Sequence, residues 1–145
     1  MTHLKEGDKA PLFDKIISGK NLKKGKIVLY FYPKDNTPGC TAEACSLKDN
    51  YNELQTKGFE VIGVSADSEK SHENFKTKYE LPFHLISDTE KEILEAYGVW
   101  GEKKMYGKSY FGVHRLTFII NQDGIIEKIF TKVETKTHAN QILSL

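Results

Sequence analysis

The most constraining feature of this chain is an apolar segment that runs directly into a proline turn and a cysteine. Residues 26–32 (Lys-Ile-Val-Leu-Tyr-Phe-Tyr) are rich in β-branched and aromatic side chains and predict a buried strand that Pro33 ends. Thr37 suits the N-cap of a following helix. Pro38 suits its first position, because the missing N–H would have no helical partner there. Cys40 then falls in the first turn, where unpaired backbone N–H groups and the helix dipole favour a thiolate.

Two interpretations of Cys40 remain open at this level. A free cysteine is often a small buried hydrophobe with no chemistry of its own. A strand, a proline turn and a thiol at a helix start together favour a nucleophile instead. The second cysteine, Cys45, follows five positions later. In a reducing compartment this spacing favours catalysis or metal binding over a structural disulfide.

The composition is that of one compact domain, and we expect a single domain over residues 1–145. A chain of 145 residues buries about 68–70% of its unfolded surface on folding. The 21 basic and 20 acidic side chains leave a net charge of +1, so no global field attracts nucleic acid or an anionic membrane. Residues 1–6 lack the apolar core of a signal sequence, and no run approaches the roughly 18 apolar residues of a membrane span. We therefore expect a cytoplasmic protein, and a monomer.

The rest of the chain alternates predicted strands and helices. Strands are predicted at 26–32, 59–65, 84–87, 115–120 and 125–133, and helices from 38 to about 57, from Asp67 or Ser68 through 79, over 90–97 and around 139–143. Residues 14–22 predict a short N-terminal hairpin with its turn at 18–21. Residues 121–124 (Asn-Gln-Asp-Gly) predict a second hairpin between the last two strands. This order implies an α/β fold with a central mixed sheet and helices on both faces.

Several segments together carry a family pattern. They are residues 31–45 (Phe-Tyr-Pro-Lys-Asp-Asn-Thr-Pro-Gly-Cys-Thr-Ala-Glu-Ala-Cys), residues 98–103 (Gly-Val-Trp-Gly-Glu-Lys), and Arg115 ahead of Thr-Phe-Ile-Ile at 117–120. In these segments the chain resembles peroxiredoxins of the bacterioferritin comigratory protein type, also called Bcp or PrxQ. The resemblance spans nearly the whole chain. It implies the thioredoxin-like fold in its peroxiredoxin elaboration, which periodicity alone would not select.

The chemistry of such an enzyme sets its requirements. A thiolate must attack one oxygen of a hydroperoxide while the other leaves with negative charge, so donors must face both oxygens. We assign Cys40 as the thiolate, Thr37 as the orienting hydroxyl and Arg115 as the stabilising cation. Taken alone, Thr37 could be a plain helix cap and Arg115 a surface charge, but the resemblance favours the active-site role for Arg115. Backbone N–H groups of Gly39 and Cys40 complete the site, and Pro33 shields the thiolate from water.

Attack on the peroxide leaves Cys40 as a sulfenic acid, which condenses with a nearby thiol. Cys45 is the candidate within the chain. Helical residues five apart are roughly 8.7 Å apart at Cα and about 140° apart around the axis. A disulfide needs Cα atoms within about 7 Å, so the helix start must unwind before Cys40 and Cys45 join. The resemblance implies that thioredoxin or a similar dithiol protein reduces this disulfide. Alternatively, Cys45 is an inert core residue and an external thiol resolves the sulfenic acid.

The remaining candidates are less specific. Glu43 could reach the helix start or Arg115, or be a solvated helix carboxylate. The five histidines show no metal-ligand spacing, so we expect no metal and no cofactor. One aromatic and basic stretch resembles a nucleic-acid surface in composition only, and we interpret it as a loop near the active site that helps to dock the substrate or the reductant. Its residues are Trp100, Lys103, Lys104, Tyr106, Lys108, Tyr110 and Phe111.

The expected function is a thioredoxin-dependent peroxidase that reduces hydrogen peroxide and organic hydroperoxides to water and alcohols. Two other classes of function remain as alternatives. A protein thiol–disulfide oxidoreductase would favour a C-x-x-C motif, which this chain lacks. A non-enzymatic holdase would need a large exposed apolar stripe, and the sequence pattern shows none.

Overall fold

A computed structural model describes residues 2–20, 22 and 25–145. The helices are Phe13–Ile17 (α1), Pro38–Asp49 (α2), Tyr51–Thr56 (α3), Glu69–Tyr79 (α4), Glu92–Ala96 (α5) and His138–Leu143 (α6), with a 3-10 turn at Thr135–Thr137. The strands are Lys26–Phe31 (β1), Phe59–Ser65 (β2), His84–Ser87 (β3), Trp100–Met105 (β4), Lys108–Val113 (β5), Leu116–Ile120 (β6) and Ile126–Phe130 (β7). Within these described residues, no helix combines the length and apolarity needed to cross a bilayer.

Five strands form the central sheet, in the order β3-β2-β1-β6-β7. β1, β2 and β3 are parallel, whereas β6 and β7 run antiparallel to their neighbours. Alternate residues of β1 serve two cores, since successive strand side chains point to opposite faces. α1 and α5 pack on one face, and α2, α3, α4 and α6 contribute to the core on the other. The mixed sheet with helices on both faces is as predicted.

The pairing of β1 with β6 explains why Arg115 lies close to the start of α2. β1 ends at Phe31 and leads through Pro33 into α2. β6 is antiparallel to β1, with Leu116 opposite Phe31. Arg115 immediately precedes β6. It therefore lies next to the C-terminal end of β1. A cation 75 positions further along the chain is thereby brought to the start of α2.

Two predictions in the first 57 residues were wrong: the hairpin at 14–22 and the single helix from 38 to 57. Residues 14–22 do not form a hairpin: α1 occupies 13–17 and buries Ile16 completely, and position 21 of the predicted turn lies outside the described residues. The single helix predicted from 38 to 57 is two helices that meet at Asn50. Asn50 leaves the helical region with φ −114°, and its side-chain amide donates to the Ser46 carbonyl at 2.9 Å. A polar side chain that bonds nearby backbone commonly interrupts a helix in this way.

The stretch interpreted as a loop is instead a separate two-stranded ribbon made of β4 and β5. Tyr106 and Gly107 form its two-residue turn, both with positive φ, as this tight turn requires. The ribbon exposes large apolar side chains that the sequence pattern did not reveal as a patch: Met105, Tyr106, Tyr110 and Phe111. Apart from shifts of a few residues at their ends, the other predicted strands and helices are confirmed.

Candidate active site

The start of α2 has the predicted backbone, with Thr37 at the N-cap position. Thr37 is extended (φ −93°, ψ 156°) and Pro38 is the first helical residue. The Thr37 hydroxyl does not cap the helix; it donates to the Lys34 carbonyl at 2.8 Å. Thr37 is thus the N-cap residue by position, as predicted, but its side chain makes no capping hydrogen bond. Because its proton is committed to Lys34, the Thr37 hydroxyl can only accept a hydrogen bond from a ligand.

Cys40 lies in the first turn of α2, only 2% exposed. The first main-chain bond here runs from the Thr41 N–H to the Thr37 carbonyl at 2.8 Å. The N–H groups of Gly39 and Cys40 precede it, where a helix offers no internal acceptor. A Cβ on Gly39 would lie 3.3 Å from Arg115 Nη2, so a larger residue would crowd the cation.

The Arg115 guanidinium donates hydrogen bonds to two side chains on α2. Nη2 donates to Cys40 Sγ at 3.3 Å, and Nη1 donates to Glu43 Oε1 at 2.5 Å. Burial disfavours the charge, but Glu43 and Cys40 more than offset it and raise the pKa of Arg115 above its ordinary value. Arg115 is therefore a fixed cation whose planar fork contacts the sulfur and a carboxyl group together.

Glu43 is fully buried, so it is not the solvated helix carboxylate that the sequence left open. Of the two contacts then considered, the one with Arg115 is present. Burial raises the pKa of Glu43 to about 7, against the opposing effect of Arg115. Its second oxygen, Oε2, has no hydrogen-bond partner and lies 3.7 Å from His138 Nε2.

His138 extends this chain of contacts into the C-terminal helix α6. Its Nδ1 lies 2.7 Å from Gln141 Oε1, an oxygen that also accepts from the Glu134 N–H at 3.0 Å. An amide oxygen only accepts, so Nδ1 carries the ring proton and Nε2 accepts from the Thr117 hydroxyl at 2.8 Å. Burial lowers the pKa of His138, in keeping with a neutral ring. Sequence reasoning missed His138, because it has no motif partner nearby in the chain.

A groove of about 350 Å³ separates the proline segment from the β4–β5 ribbon. Pro33 is half-buried along it, and Trp100, Tyr110 and Phe111 supply aromatic surface. Lys103, also in the groove, is a second cation beside the site. Burial and the charge of Arg115 lower its pKa.

Cys45 lies on α2, on the same continuous helix as Cys40, and both thiols are free. Five helical residues separate their Cα atoms by roughly 8.7 Å. Cys45 is partly buried, and this burial raises the pKa of its thiol. The structure is thus the reduced form, with the two cysteines too far apart to join without backbone movement.

Both the sequence and the fold of this chain are similar to those of known proteins. Residues 5–129 match the AhpC/TSA family. Peroxiredoxin Bcp of Bacillus subtilis is 46% identical over 143 residues, which cover 94% of this chain and 91% of that protein. A mutant of Xylella fastidiosa PrxQ superposes with a TM-score of 0.87 at 30% identity, covering 99% of this chain and 96% of the other. Xanthomonas campestris bacterioferritin comigratory protein gives a TM-score of 0.78 at 39% identity, covering 83% and 76%.

This chain belongs to the AhpC/TSA family and, within it, to the peroxiredoxins of the Bcp or PrxQ type. It is accordingly an enzyme, a peroxiredoxin. Its fold is the thioredoxin-like peroxiredoxin fold that the resemblance implied.

Proposed function

We propose that this peroxiredoxin reduces hydrogen peroxide and organic hydroperoxides to water and alcohols through a sulfenic acid on Cys40. One observation carries the proposal: Arg115 Nη2 donates to Cys40 Sγ at 3.3 Å at the start of α2. A cation contacts this sulfur, and the N–H groups of Gly39 and Cys40 belong to the same first turn, where a helix offers no internal acceptor. This arrangement favours a thiolate and stabilises negative charge that develops next to it.

In the proposed reaction, Cys40 Sγ attacks the hydroxyl oxygen of the hydroperoxide. The S–O bond forms, the O–O bond breaks, and the alkoxide or hydroxide leaves and takes up a proton from solvent. Arg115 and the N–H groups of Gly39 and Cys40 stabilise the oxygens. The Thr37 hydroxyl accepts a hydrogen bond from the peroxide O–H, since its own proton is held by Lys34. Pro33 shields the sulfur on the groove side.

Glu43 acts through Arg115 rather than on the substrate. By binding Nη1 at 2.5 Å, it fixes the plane of the guanidinium and leaves Nη2 for the sulfur. Because Glu43 is fully buried, this orientation is protected from competing water.

Cys45 resolves the sulfenic acid in the second half of the cycle. The first turns of α2 unwind, the Cys45 thiol displaces the sulfenic oxygen as water, and the Cys40–Cys45 disulfide forms. Thioredoxin or a similar dithiol protein reduces that disulfide. The cytoplasmic location, the monomeric state and the single-domain organisation also stay predictions.

Organic hydroperoxides are included for two reasons. The Xanthomonas campestris relative has been studied for alkyl peroxide reduction activity. In this chain the groove beside Pro33 carries the aromatic side chains of Trp100, Tyr110 and Phe111, which suit an apolar substituent.

The test is peroxide consumption coupled to NADPH oxidation through thioredoxin and thioredoxin reductase. We expect turnover with hydrogen peroxide and with an alkyl hydroperoxide, and none with Cys40→Ser. Insulin reduction and protection of an aggregating client protein test the two alternative functions in parallel. Activity in either of those assays, without peroxide consumption, would replace the proposal.

A further inference from the structure

Beyond the site described above, a buried ion pair joins α4 to the segment that precedes Cys40. Asp35 is 6% exposed, and its Oδ1 accepts from the Tyr32 hydroxyl at 2.6 Å. Its Oδ2 accepts from the Ser71 hydroxyl at 2.8 Å and lies 2.6 Å from His72 Nδ1. The Asp35 backbone N–H donates to the Asp67 carboxylate at 2.8 Å. The segment is thus anchored by side chain and main chain at one residue.

The contacts of His72 determine its charge. Nδ1 faces the Asp35 carboxylate at 2.6 Å, and Nε2 faces the Ile86 carbonyl at 3.0 Å. Both partners only accept hydrogen bonds, so the ring must donate from both nitrogens and is an imidazolium. Burial opposes the charge, but Asp35, the Ile86 carbonyl and Asp67 together offset it and raise the pKa of His72. The Asp67 carboxylate and the Tyr32 hydroxyl also face the ring.

α4 holds the next residue of the segment as well. Asn36 has φ +61°, in the left-handed region that asparagine tolerates better than most residues. Its side-chain oxygen accepts from Lys78 Nζ and from the Tyr79 hydroxyl, each at 3.2 Å. Asp35 and Asn36 are therefore both tied to α4, and Thr37 follows immediately.

We propose that His72 is a positioning residue of the peroxidase site, acting through Asp35 to hold residues 33–37 and the start of α2 in the reactive arrangement. His72 does not touch the reacting atoms. Its effect passes from the imidazolium to Asp35, and along the backbone to the Thr37 hydroxyl. The inference rests on the proposed function for its kinetic consequence, but not for the ion pair itself.

A divalent cation is the competing occupant of this cluster. One ligand atom from each of Asp35, Asp67 and His72 lies within 4.8 Å of the others. These atoms already bond one another or neighbouring donors: Asp67 Oδ2 accepts from the Asp35 N–H and from the Ser65 hydroxyl, each at 2.8 Å. A protonated His72 fills the place that a metal ion would take.

The first experiment concerns the proton and needs no peroxide. ¹⁵N NMR of the reduced wild-type chain at neutral pH should show protons on both ring nitrogens of His72. A neutral ring, or stoichiometric Zn²⁺ binding that removes a His72 proton, would overturn the proposal. This result is independent of whether the chain is a peroxidase.

The second experiment is a double-mutant cycle with His72→Gln and Asp35→Asn. The measured quantities are the single-turnover rate with hydrogen peroxide and the rate of Cys40 alkylation by iodoacetamide, at a temperature where thermal melts show each variant folded. We expect each single variant to react with peroxide about tenfold more slowly, and the double variant no more slowly than either. His84→Gln, an exposed histidine on β3, is the matched control and should match the wild type.

The outcomes separate the two proposals. If wild-type peroxide consumption is absent, the proposed function fails, and the NMR and alkylation results still test the ion pair. If folded His72→Gln matches the wild type in both rates, or if the two single effects multiply in the double variant, His72 does not position the site through Asp35.

Discussion

Replacing Glu43 by glutamine should remove a pH dependence of stability that its buried carboxyl creates. Burial raises the pKa of Glu43 from 4.5 to about 7 in the folded chain. Between these two values the folded state binds more protons than the unfolded state, so stability falls as pH rises. A pKa shift of this size contributes about 3 kcal/mol to the free energy of unfolding at low pH. This contribution is fully lost above pH 7. Glutamine has nearly the same shape and does not titrate in this range.

The assay is urea unfolding of the reduced wild type and of Glu43→Gln from pH 4 to 8. The difference in unfolding free energy between the two chains cancels the titration of groups that do not interact with Glu43. We expect the wild type to lose about 3 kcal/mol relative to Glu43→Gln across this range. Glu53→Gln, an exposed carboxyl on α3, is the control and should run parallel to the wild type. A gap between wild type and Glu43→Gln that stays constant with pH would refute the reasoning.

Four further predictions concern the proposed catalytic groups. Cys40→Ser should abolish peroxide turnover with an unchanged far-UV spectrum, because serine is not ionised near neutral pH; residual turnover would remove Cys40 as nucleophile. Arg115→Lys keeps the charge but loses the fork, so single-turnover rates should fall about tenfold or more; an unchanged rate would exclude a role for the guanidinium geometry. Oxidation should speed amide exchange across residues 38–47 while the central strands stay protected, and a disulfide form with equal protection there would contradict unwinding. Cys45→Ser should accumulate sulfenic acid, detected by dimedone labelling and mass spectrometry; rapid resolution without Cys45 would favour an external thiol.

The sequence pattern was sufficient to predict elements whose structure depends on a few neighbouring residues. The strand at 26–32, the break at Pro33 and the helix start at Pro38 each follow from the preferences of adjacent residues. That part of the chain also holds the proposed nucleophile. The β4–β5 ribbon was not predicted from the sequence because its strands, Trp100–Met105 and Lys108–Val113, are mostly exposed. Exposed strands lack the alternation of apolar and polar residues that indicates a sheet.

Contacts between distant segments could not be predicted from the chain. His138 reaches Glu43 only because α6 packs beside α2 across 95 positions of sequence. Asp35 and His72 are 37 positions apart and become a pair only once β1 and α4 are placed. Neither histidine has a ligand or motif spacing that marks it. Their roles depend on tertiary packing, about which periodicity carries no information.

The same buried carboxyl should also control how easily the start of α2 unwinds. Glu43 follows Cys40 by three residues on α2, so unwinding that brings Cys40 toward Cys45 also withdraws Glu43 from Arg115 and transfers it to water. In water its pKa returns to the ordinary value, and at pH 8 the transfer relieves the cost of a buried charge. Opening of the helix start should therefore be easier at pH 8 than at pH 5, by up to about 3 kcal/mol. Hydrogen exchange of reduced Cys45→Ser, corrected for intrinsic rates, measures this opening without disulfide formation. The pH dependence should disappear when Glu43→Gln is added, and its persistence there would assign the effect to another group.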